Sequence, residues 1–130
     1  MLNGEKILEK RIYEGTVAEK SEDFAVRMIN LCKYLRHTKK EYVLSKQILR
    51  SGTSIGANVA EAQRAQSRAD FLAKMSIALK EANETYYWLR LLYRTQYLTG
   101  LEFESLSADI DELLRMITAI CKTISTGLPK

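Results

Sequence analysis

SGTSIGANVAEAQRAQSRADF, residues 51 to 71, is the stretch on which the fold turns. Gly52, Ile55, Val59 and Ala62 recur at spacings of three and four, and with Leu44 and Ile48 upstream they line one side of a helix. Ser51, Ser54, Ala57 and Ala60 carry small side chains further round the cylinder. Gly52 and Gly56 each cost about 1 kcal/mol relative to alanine inside a helix. Two such residues ask for a compensating gain, which the close approach of a neighbouring backbone supplies. The spacing therefore predicts a central helix, from about residues 41–45 to 66, packed on more than one side.

Upstream, Ser21 followed by Glu22 and Asp23 predicts a helix start, because a hydroxyl accepts from an orphan N–H and carboxylates favour the positive end of the macrodipole. This first helix runs to about Thr38 with Phe24, Met28, Leu31 and Leu35 inward. Arg36, His37, Lys39 and Lys40 close it, either complementing the carbonyl end of the helix or forming a binding surface. Residues 1–20 read as an N-terminal arm punctuated by Gly4 and Gly15, residues 21–126 as the folded unit, and residues 127–130 as a C-terminal tail.

Downstream, Ser67 with Asp70 resembles a capping box and opens a third helix reaching about Leu98. Its first stripe runs through Phe71, Met75, Ala78, Ala82, Leu89 and Tyr93. A second apolar stripe, Ala73, Ile77, Trp88 and Leu91, lies well round the same helix. A helix of a small monomeric bundle needs one apolar face, so the second predicts an interface with another copy. Thr99-Gly100 reads as a helix stop. A fourth helix follows from about residues 103–105 to Thr126, with Leu106, Ile110, Leu113, Ile117, Ile120 and Ile124 as its seam. Four amphipathic helices with short connections predict an all-α, antiparallel up-down-up-down four-helix bundle that assembles as a homo-oligomer.

Composition narrows the function classes. A chain of 130 residues with one Pro, six Gly and 46% hydrophobic residues makes one domain with one core. Its uncharged apolar runs fall far short of the roughly 20 residues that span a bilayer, and MLNGEKILEKR has no apolar signal-peptide core. A cytoplasmic protein with no membrane partner is expected. Cys32 and Cys121 stand far apart with His37 as their only nitrogen ligand, so free thiols are expected and no metal or cofactor site. There is no phosphate-cradling glycine loop, CxxC pair or nucleophile elbow, and an enzyme is not expected. The net charge of +4 is uneven: residues 21–40 carry five basic and two acidic side chains, and residues 99–130 three and five. An anion-binding surface thus favours the first three helices over the fourth.

The segment SGTSIGANVAEA, with QSRADF and ALKEANETYYWL beyond it, resembles the signature of the four-helix-bundle proteins encoded in intervening sequences of bacterial 23S ribosomal RNA genes. The resemblance covers roughly residues 24–124 and implies a left-handed up-and-down bundle whose relatives are barrel-shaped homopentamers. The chain is also similar to the accessory variability determinant proteins of diversity-generating retroelements, whose basic pentamer engages nucleic acid and a reverse transcriptase.

Three groups of residues are candidates for function. Lys46, Arg50 and Arg64 share the outward face of the central helix, and with Arg68, Lys39 and Lys40 they form either a track for RNA or DNA phosphates, or an ordinary solvated face or salt bridges across a subunit boundary. Asn58, Glu61 and Glu84 suggest a polar network fixing helix register or a subunit contact; a catalytic carboxylate pair is the alternative reading. Tyr86, Tyr87, Trp88, Tyr93 and Tyr97 are at helical spacing and read as core or interface rather than as a base-stacking platform. Nucleic-acid binding is the leading functional expectation; a protein-interaction scaffold, for example an accessory subunit of a polymerase, is the alternative.

Overall fold

The structure, a computed structural model, describes residues 15–127. Most of the expected arm, residues 1–14, and the tail beyond Gly127 with its Pro129 lie outside them. Four helices follow in order: α1 (Val17–His37), α2 (Leu44–Ala62), α3 (Arg68–Arg94) and α4 (Gly100–Gly127). Each packs on its neighbour in sequence and α1 also meets α4, whereas among the described residues no diagonal pair comes close. Short connections make successive helices antiparallel. The chain is the expected all-α up-down-up-down bundle, closed in a ring around one core.

The helix ends differ from the sequence reading in two places. α1 begins at Val17, not at Ser21. Thr16 Oγ1 accepts the Glu19 N–H at 3.2 Å while the Glu19 carboxylate takes the Thr16 N–H at 2.9 Å, a reciprocal capping box. Those bonds hold the Glu19 carboxyl below its usual range. Ser21 sits inside the helix, fully buried, with its hydroxyl donating to Ala18 O at 3.1 Å. Val17–Lys20 therefore belong to the bundle rather than to an arm.

Thr99-Gly100 likewise opens α4 instead of closing α3. The Thr99 N–H donates to Glu102 Oε1 at 2.9 Å and the Glu102 N–H to Thr99 Oγ1 at 3.2 Å. α3 has already ended in a Schellman arrangement, with Tyr97 N bonded to Leu92 O at 2.9 Å and Gln96 N to Tyr93 O at 3.0 Å. The left-handed position is filled by Gln96, at φ 71°, rather than by a glycine. Ser67 does cap α3 as expected, accepting the Asp70 N–H at 3.0 Å, while Asp70 takes the N–H of Gln66.

Phe24, Met28, Leu31 and Leu35 of α1 meet Ile48, Ile55 and Val59 of α2, Met75, Leu89 and Leu92 of α3, and Leu106, Ile110, Leu113 and Ile117 of α4 in the core. The two helical glycines of α2 serve different neighbours. A Cβ on Gly56 would lie 3.0 Å from Ser21 O, the backbone approach that the sequence predicts; one on Gly52 would lie 2.3 Å from Met28 Cγ, so that glycine makes room for a side chain. Between α2 and α3, Ser51 and Thr85 hydrogen-bond through their hydroxyls at 2.9 Å, both fully buried. Across α1 and α4, Lys20 pairs with Glu112 at 2.9 Å and buried Arg27 with buried Asp109 at 2.7 Å. Cys32 and Cys121 are free thiols, and burial pushes the Cys32 thiol up. Among the described residues no helix is long and apolar enough to cross a membrane.

Candidate nucleic-acid interface

The alternating direction of the helices brings the α1–α2 connection, the end of α3 and the start of α4 to one end of the bundle. From Lys33 to Arg50 the chain carries six basic residues and a single acid, Glu41. That acid is 7% exposed, and its carboxylate accepts the N–H groups of Val43, Leu44 and Ser45 at 3.1, 2.8 and 2.7 Å. Glu41 therefore caps α2, whose first turn holds no other acid, and among the described residues it forms no ion pair with the lysines. Lys33, Arg36, Lys39, Lys40 and Lys46 are all exposed, and among the described residues none makes an ion pair. Lys40 is held at φ 55°, in the left-handed region.

The six basic residues singled out in the sequence do not form one track. Lys39, Lys40 and Lys46 share the end just described. Arg64 and Arg68 lie at the other end, Arg64 within the α2–α3 connection and Arg68 at the first position of α3. Arg50 is committed within the chain: its guanidinium reaches Glu81 at 3.1 Å and also pairs with Glu84. The Trp88 Nε1–H donates to that same Glu84 carboxylate at 3.0 Å, and together the indole and Arg50 hold the Glu84 carboxyl below its usual range.

Asn58, Glu61 and Glu84 do not join in one network. Asn58 donates its amide to Ser54 O on its own helix at 2.8 Å, Glu61 pairs with Lys74 at 3.2 Å, and Glu84 holds Arg50. The register explains the separation. Ser51 stands level with Thr85 and Glu61 with Lys74, so Asn58, seven residues along α2 from Ser51, is about 10 Å from the level of Glu84. Of the second stripe of α3, Ala73 and Ile77 are on the surface of the chain, Ile77 at 41% exposure, while Trp88 and Leu91 are half-buried. Among the tyrosines, Tyr93 stacks on Phe103 with ring centres 4.6 Å apart, and Tyr87 meets Trp88 edge-on at 5.1 Å.

Residues 14–119, nearly the whole bundle, match the 23S rRNA-intervening sequence protein family. The chain belongs to that family. It is also similar to a solved structure, that of a protein with unknown function from the S23 ribosomal protein family of Bacteroides thetaiotaomicron VPI-5482. The two share 58% identity and a TM-score of 0.81, over 82% of this chain and 95% of that one. Among curated proteins none matches.

In this 23S rRNA-intervening sequence protein, the sequence reading overlooked Tyr42. It lies between Glu41 and Val43, outside any helical stripe, and periodicity gives such a residue no weight. A signal was present in the charges, since a window of six bases to one acid points to that connection more strongly than the outward face of α2 does.

Proposed function

We propose that the chain is a non-enzymatic, homo-oligomeric member of its family that binds RNA or DNA through the basic end of the bundle. Arg36, Lys39, Lys40 and Lys46 hold the phosphates. The observation that carries this reading is the fate of Glu41: the one carboxylate of the segment is spent on capping α2, and among the described residues the neighbouring cations have no carboxylate partner. The buried acids speak for binding rather than catalysis, since Glu41 and Glu102 cap helices and Asp109 pairs with Arg27. The outward Ile77 and Tyr87 of α3, at 41% and 45% exposure, support assembly with further copies, and the resemblance to pentameric relatives supplies the number.

The test compares two charge reversals by fluorescence anisotropy against structured RNA and single-stranded DNA. Lys39→Glu/Lys40→Glu should weaken binding at least tenfold, whereas Arg64→Glu/Arg68→Glu at the far end should weaken it less. Equal loss from both pairs, or no binding by the wild type at low salt, would contradict the proposal. Co-purification of a protein partner without nuclease-sensitive material would favour a scaffold instead. Light scattering on the same preparations reads the assembly, and a stable monomer would refute that part.

A further inference from the structure

The basic end carries a feature that phosphate binding alone does not use. Tyr42 is 51% exposed in the α1–α2 connection, and its ring lies under the Arg36 guanidinium at 5.2 Å. Among the described residues the other exposed tyrosines, Tyr87 and Tyr93, have aromatic partners within the chain, whereas a cation covers Tyr42 and much of its surface is open. Its backbone is pinned on both sides. The Glu41 N–H bonds to Leu35 O at 2.9 Å, the Glu41 carboxylate holds the N–H groups of Val43 to Ser45, and the Ser45 hydroxyl returns to Glu41 O at 2.9 Å. A planar ring fixed on a rigid turn loses little freedom when it takes a ligand.

We infer that Tyr42 is a stacking platform for an unpaired base, with the phosphates of the same strand on Lys39, Lys40 and Lys46. The inference rests on the nucleic-acid reading above and narrows it to single-stranded segments, including the loops of structured RNA. Stacking needs a base with a free face, which a continuous duplex does not offer, and the Arg36 cation behind the ring adds its own attraction. An anionic lipid surface would also meet the lysines. It is less well served here, because Tyr42 lies against a guanidinium and the exposed apolar side chains of this end are dispersed, Val43 at the start of α2 and Leu101 in α4 standing on helices that do not pack on each other.

The test is anisotropy at one salt concentration with a labelled oligouridine, a blunt duplex of the same length, and vesicles containing phosphatidylserine. Tyr42→Ala should weaken oligouridine binding about tenfold or more while leaving the duplex within about twofold, and Tyr42→Phe should bind as the wild type does. Lys39→Glu/Lys40→Glu should weaken both nucleic acids. If the charge reversal weakens binding and Tyr42→Ala does not, the platform is refuted and the phosphate reading stands. If the wild type binds neither nucleic acid, the phosphate reading fails and the platform with it. Binding to vesicles alone, lost in Tyr42→Ala, would overturn the inference in favour of a membrane surface.

Discussion

Arg27 Nη1 lies 2.7 Å from Asp109 Oδ2 inside the bundle, with the two side chains 2% and 1% exposed. The same guanidinium donates to Ser105 Oγ at 2.8 Å and to Ser105 O at 3.2 Å. α1 and α4 approach each other less closely than the other neighbouring pairs do, so long side chains bridge where backbones do not. Removing one partner strands the other charge in the core. Asp109→Ala should cost about 3–5 kcal/mol, and Arg27→Met/Asp109→Leu, which removes both charges, far less. Urea denaturation of the three proteins reads the difference.

Gly52 offers a separate test of the α1–α2 contact. Alanine there gains about 1 kcal/mol of helix propensity, but its Cβ would collide with Met28, which is fully buried and held on all sides. Overpacking of this kind costs about 1–3 kcal/mol. Gly52→Ala should therefore lower stability and Gly56→Ala should do so less, because its nearest atom is 3.0 Å away rather than 2.3 Å. Thermal melts monitored by circular dichroism give the order.

The Glu84 carboxyl is held below its usual range by the Trp88 indole and by Arg50. A carboxyl with a lowered folded pKa stabilises above its unfolded pKa, and that contribution disappears as pH falls through the folded value. The stability gap between wild type and Glu84→Gln should thus be present at pH 7 and shrink as pH drops below about 4.3. At a site 36% exposed, solvent screening keeps the gap under about 1 kcal/mol. A gap that widened in acid would contradict the assignment.

The bundle was legible because its stripes are: Phe24 to Leu35 and Leu106 to Ile117 keep a strict spacing of three and four, and they are buried as that spacing requires. Arg27 and Asp109 occupy the same stripes, one turn from Phe24 and Leu106, and an inward charge on each of two helices was a readable sign of an internal pair. The ends were harder. Gln96 takes a left-handed conformation usually reserved for glycine, and so the nearby Gly100 was mistaken for the stop. Arg50 looked free from the spacing of α2 alone, since its partners Glu81 and Glu84 depend on the register against α3. Tyr42 depends on the tertiary fold, which alone shows that its ring is open and its backbone fixed.

Cations of the α1–α2 end that hold phosphates release counterions on binding, and the salt dependence of affinity reads that release. The affinity of the wild type for a single strand should fall linearly with salt on logarithmic axes. Replacing Lys39, Lys40 and Lys46 by alanine should flatten the slope by about 2, at roughly 0.7 for each phosphate contact removed. A slope that stays the same in the triple variant, or an affinity that ignores salt, would mean that these lysines hold no phosphates.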